Sequence, residues 1–162
     1  VPRGQAGGMT ISLPQEDRSY MSKRYLEEQI TALLGGRAAE RLVLGDISTG
    51  AGNDIQRATR IAHKMVASYG MSEKLGTVSF ESGHDEVFIG RTMSQGRSYS
   101  EQIAAQIDEE VRRIIAAAYD RCEAILRDRR PQLDSVANYL LAHETMTRQE
   151  FLTVMDAAVP RA

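Results

Sequence analysis

The chain has 162 residues, 42% of them hydrophobic, which bounds it to one domain able to bury a core without disulfides or metal. Its charges nearly balance, 20 Lys+Arg against 22 Asp+Glu for a net −2, and this excludes the positive excess of a nucleic-acid or anionic-membrane binder. Aromatics at 6% with no Trp favour an aliphatic helical core over a β-sandwich, and the single Cys122 suits a reducing compartment.

No apolar run approaches the roughly 18 residues of a membrane span. The sequence opens on Val1 and reads at once like the end of a strand, so a piece of a longer protein is expected. Gly8 to Leu13 alternates apolar and polar residues up to Pro14. It predicts a strand, and an edge strand, because Gly4, Gly7 and Gly8 suit a central one poorly. Ser22 caps a helix predicted to continue through Leu44, with Leu26, Ile30, Leu33, Leu34, Ala38 and Leu42 at helical spacing. Gly35-Gly36 interrupts it, as a kink or a close helix contact, and Gly45 closes it.

A second helix is expected from about Gly52 to Tyr69, burying Ile55, Ala58, Ala62, Met65, Val66 and Tyr69 and stopping at Gly70. Gly76–Phe80 and Glu86–Ile89 are predicted short strands of a hairpin, followed by a polar loop over Gly90–Tyr99. The longest helix spans Ser100–Arg129. Its core positions are Ile103, Ile107, Val111, Ile114, Ala118, Ile125 and Leu126, with Glu109, Glu110, Arg112, Arg113, Asp120 and Arg121 on the other faces. Pro131 ends it or begins the next helix, which runs on Leu133, Val136, Leu140 and Leu141. Thr147-Arg-Gln-Glu150 is a capping box, and Phe151, Val154, Met155 and Ala158 form the apolar side of the last helix. The fold expected is mainly α, with a small β element made of the edge strand and short hairpin.

The most informative stretch is Asp46 to Thr59, a glycine-rich turn running into an amphipathic helix with Asp54 where the helix opens. Such a carboxylate can aim one oxygen ligand at a metal site built by other elements. Its alternative is an ordinary first-turn acid stabilised by the helix dipole. Glu40 is the rival carboxylate, as a direct ligand, as a hydrogen-bond partner of a ligand, or in a surface salt bridge. Thr49 and Asn53 shape the turn before Asp54. His63, His84 and His143 are scattered, which fits surface or structural roles, and Cys122 reads as a core thiol. No H-E-x-x-H occurs, and the glycines at Gly50 and Gly52 lack the G-x-x-x-x-G-K-[ST] pattern, so ATP binding by this stretch is not expected.

Five segments carry a resemblance: Ile11-Ser-Leu-Pro-Gln-Glu-Asp-Arg18, Leu33-Leu-Gly-Gly-Arg-Ala-Ala-Glu40, Ser48-Thr-Gly-Ala-Gly-Asn-Asp-Ile55, Tyr69-Gly-Met-Ser-Glu-Lys-Leu-Gly76 and Ile107-Asp-Glu-Glu-Val-Arg112. In this order and spacing the sequence resembles the peptidase domain of FtsH-type ATP-dependent zinc metalloproteases over almost its whole length. The resemblance implies zinc held by two histidines of an upstream H-E-x-x-H and by a downstream aspartate, which matches Asp54. The general base also falls upstream, so no catalytic residue is expected in this chain and the chain alone is expected to be inactive. ATP would be bound only by an upstream ATPase module. The implied parent is a homo-hexamer on the cytoplasmic face of the bacterial inner membrane that degrades unfolded or membrane proteins. This part would touch neither nucleic acid nor the membrane directly. The implied layout is one peptidase-domain piece over 1–162: edge strand and loop 1–20, zinc-site helices and β element 21–99, C-terminal helices 100–162. Gly8, Met9, Thr10 and Ile11 are then candidates for holding substrate along an exposed strand, or form a purely structural edge. Gly7-Gly8 stands where the family has a bulkier residue, and His63 where a basic residue is common. The competing reading is a non-catalytic helical oligomerisation module in which Asp54 only caps a helix.

Overall fold

The computed structural model describes residues 20–80 and 99–157. These form six helices: α1 (Lys23–Leu33), α2 (Gly35–Leu44), α3 (Gly52–Ala67), α4 (Glu101–Asp128), α5 (Arg130–His143) and α6 (Arg148–Ala157). The protein is mainly α, and among the described residues the only β pairing is an isolated bridge between Ser72 and Gly76. The Gly8–Leu13 strand and the Glu86–Ile89 half of the hairpin lie outside the described residues. Gly76–Phe80 is irregular rather than a strand. Its end is tied to α3 instead, where the Phe80 N–H donates to the Ala67 carbonyl at 2.8 Å.

The long helix expected from Ser22 to Leu44 is two helices that share Leu34 as a joint. The Leu34 N–H still donates to Ile30 and the Ala38 N–H to Leu34, so the hydrogen-bond ladder bends there without parting. A Cβ on Gly35 or Gly36 would meet nothing within 4 Å. The glycines therefore mark a bend and not a close helix approach. The Ser22 and Ser100 hydroxyls accept from Tyr25 and Ile103 and start α1 and α4. Gly45, at φ 68°, ends α2 in the left-handed region.

Helices α1, α3 and α4 pack against one another, and α2 lies on α4 and α1. Ile30, Met65, Val66 and Ile107 are the largest side chains that are all but fully buried. Each contributes about 1.5–3 kcal/mol through the area it withdraws from water. Several stripe assignments fail: Tyr69 and Ile125 are both 47% exposed, and Leu140, Leu141 and Phe151 of the last two helices are exposed as well. Glu110, placed by periodicity among the solvent-facing charges, is 3% exposed. Helix α5 begins with Pro131 in its first turn and pairs with α6. Among the described residues, that hairpin reaches the other helices only through α4.

The turn after α3 is where Glu110 finds its partners. Gly70 has φ 59°, and a Cβ there would stand 3.0 Å from the Thr77 backbone, so only glycine fits. The chain then places the Ser72 hydroxyl 2.7 Å from Glu110 Oε2, and Arg113 grips the same carboxylate through Nε at 2.9 Å and Nη2 at 3.1 Å. The Arg113 guanidinium, with the Ser72 hydroxyl behind it, holds the Glu110 carboxyl below the usual range. The Tyr69–Gly76 segment is thus a structural device that pins the end of α3 to α4.

Candidate metal centre

Asp54 is the third residue of α3, after the capping residue Ala51. The turn that delivers it is built by α2. Glu40 accepts from the Ser48 hydroxyl through Oε1 and from the Ser48 N–H through Oε2, the latter at 3.2 Å. Ser48 Oγ in turn accepts the Gly50 N–H at 3.1 Å, a hydroxyl-closed turn. The Gly52 N–H donates to the Thr49 carbonyl, and the Ile55 N–H to Ala51, which begins the helix. The Ser48 hydroxyl and then the Ser48 amide lower the Glu40 pKa, with Arg37 adding a smaller attraction from 3.7 Å.

Asp54 has a looser environment. Its side chain is 45% exposed, and Arg57 Nη1 stands 3.6 Å from Oδ1, too far for a hydrogen bond. An oxygen donor for a divalent cation needs that accessibility, so Asp54 fits the part of a single zinc ligand. A complete site does not come from these helices: no group of at least three His, Cys, Asp or Glu side chains could hold a metal ion among the described residues. Neither crevice between α1 and α4 includes Asp54.

The structure thus separates the two candidate carboxylates, with Glu40 engaged by its own loop and Asp54 held open beyond it. His63 lies on α3 and is partly buried, and His84 is outside the described residues. His143 ends α5, stacks on Tyr139 at 4.2 Å and sits 2.9 Å from the Tyr139 carbonyl through Nδ1. Cys122 is a buried thiol whose pKa burial raises. Gly8, Met9, Thr10 and Ile11 fall outside the described residues. Sequence reasoning missed Ser48, Ser72 and the burial of Glu110. Only Ser48 left a signal, the Ser-x-Gly spacing of a serine turn.

The sequence profile of Peptidase family M41 matches residues 1–154. The chain belongs to this family. Among M41 relatives it is 52% identical over 156 residues to the ATP-dependent zinc metalloprotease FtsH 1 of Thermoanaerobacter sp. (strain X514), covering 96% of this chain and 26% of the relative. It is 47% identical over 157 residues to the ATP-dependent zinc metalloprotease FtsH of Bacillus subtilis (strain 168), covering 96% of this chain and 25% of that protein. For the Thermotoga maritima protein of the same name the figures are 46% over 157 residues, 96% and 26%. The chain therefore spans about a quarter of the length of the curated M41 relatives it matches. No helix among the described residues is long and apolar enough to cross a membrane.

Proposed function

We propose that this chain is the part of an ATP-dependent zinc metalloendopeptidase that supplies one zinc ligand, the Asp54 carboxylate, and the helical scaffold that holds it. The observation that carries the reading is the pairing of an open carboxylate on the first turn of α3 with an M41 match over 1–154. Bound zinc would supply an acidified water and a polarised scissile carbonyl. The role of this chain's own residues is narrower. Asp54 presents a hard oxygen from a different element than the histidines, and α1, α3 and α4 fix the direction of that oxygen. Two histidines and a glutamate general base are assigned to an upstream H-E-x-x-H segment.

The whole protein then acts on unfolded or membrane proteins delivered by an upstream ATPase module, as a homo-hexamer on the cytoplasmic face of the bacterial inner membrane. The relatives named as ATP-dependent zinc metalloproteases support this. Taken alone, the chain cannot hold catalytic zinc tightly, because one carboxylate is too few ligands. The rival reading, a non-catalytic helical assembly module, draws on the exposed Leu140, Leu141, Phe151 and Leu152 of the α5–α6 hairpin.

The deciding experiment is zinc content and casein cleavage of the full-length protein with Asp54→Asn. Loss of both supports the ligand role. Wild-type zinc occupancy and cleavage remove Asp54 from the site, and absence of an H-E-x-x-H segment upstream leaves the assembly module.

A further inference from the structure

The turn between α2 and α3 delivers the chain to Asp54, and it is organised by a carboxylate eight residues before Ser48. Glu40 spends both oxygens on Ser48, one on the hydroxyl and one on the amide. Ser48 Oγ passes the link on to the Gly50 N–H. At Gly50 the fit is close: a Cβ would stand 3.3 Å from Ser48 Oγ and 3.8 Å from Glu40 Oε1. Arg37 flanks the arrangement from the preceding turn of α2, its side chain 17% exposed and its Nη1 3.7 Å from Glu40 Oε2. These contacts run in series from α2 to the turn that opens α3, with each carboxylate oxygen of Glu40 engaged by Ser48.

We propose that Glu40 is a positioning residue for the metal ligand Asp54, acting through Ser48 to set the path of the turn and so the place where α3 begins. The inference rests on the ligand role of Asp54 and deepens it. It assigns the Ser48-x-Gly50 sequence to the same device and gives Gly50 a reason other than phosphate binding. Loss of such supporting hydrogen bonds lowers metal affinity about 10- to 100-fold while the ligand set stays the same. Loss of a ligand changes the coordination itself.

Three measurements test this. In the full-length protein, Glu40→Gln and Ser48→Ala are each expected to weaken zinc binding about 10- to 100-fold in chelator competition. The cobalt(II)-substituted proteins are expected to keep the wild-type d–d bands in both variants, whereas Asp54→Asn shifts them. In the metal-free full-length protein, both variants are expected to lose amide-exchange protection at Ser48 and Gly50 while far-UV circular dichroism stays unchanged. Gly50→Ala should give a smaller loss of affinity in the same direction. A cobalt spectrum altered by Glu40→Gln would make Glu40 a ligand and overturn the proposal, as would wild-type affinity and protection in both variants. Asp54→Asn with wild-type metal binding would instead remove the ligand reading itself, so the two failures are told apart. Should Glu40→Gln fail to fold, Ser48→Ala, which keeps the α2 carboxylate, decides alone.

Discussion

Replacing Glu110 with glutamine tests whether a single buried carboxylate fastens the turn after α3 to the core. The Glu110 side chain is 4% exposed and accepts from Ser72 at 2.7 Å and from Arg113 at 2.9 and 3.1 Å. Glutamine keeps the shape but removes the charge, and it turns an amide N–H₂ toward groups that are themselves donors. Arg113 is 55% exposed, so water recovers it and no buried cation is stranded. The net loss is then close to one charge-assisted hydrogen bond, about 1.5–3 kcal/mol. For a chain of this size the same loss lowers Tm by roughly 3–12 °C. Urea and thermal denaturation followed by circular dichroism measure it. Glu109→Gln is the control: Glu109 pairs with Lys74 but is 66% exposed, and its loss should stay within about 0.5 kcal/mol. Equal stability of the two variants would refute the reasoning.

The same group makes the fold acid-sensitive. The folded Glu110 pKa lies below the unfolded one, so its contribution is complete above the ordinary carboxylate range and is lost as pH falls through the folded value. Urea midpoints taken on either side of that range should converge between wild type and Glu110→Gln at the acid end. Gly70→Ala should cost more than a typical surface change, because φ 59° and a 3.0 Å approach to Thr77 both oppose a methyl group, and equilibrium unfolding reads the loss. Thr147→Ala should cost about 1 kcal/mol of local stability at α6 by undoing the capping box, in which the Glu150 N–H donates to Thr147 Oγ1 at 3.3 Å and the Thr147 N–H to Glu150 Oε2 at 2.7 Å. Amide exchange at the start of α6 checks it.

Local chemistry made the helices legible. Ser22, Ser100 and Thr147 satisfy helix starts from their own side chains, and Gly45 and Gly70 take the backbone conformation that stops one. Each signal lies within four residues of its effect. The family of the chain was legible for a related reason, since five short segments kept their order and spacing. What escaped was set by distance along the chain. Glu110 looked like a surface charge because its partner Ser72 is 38 residues away. Tyr69 looked like core because it continues the apolar stripe of α3, yet helix α3 ends at Ala67 and the stripe no longer points inward. At the metal centre, the turn chemistry around Asp54 could be read, while the engagement of Glu40 by Ser48 needed the α2–α3 geometry.

Among the described residues, the α5–α6 hairpin touches the remaining helices solely along α4. A unit hinged on one neighbour can come away without dissolving the rest. Heating or mild denaturant should therefore release residues 130–157 first, leaving Asp54 and its supporting turn standing on the four helices α1 to α4.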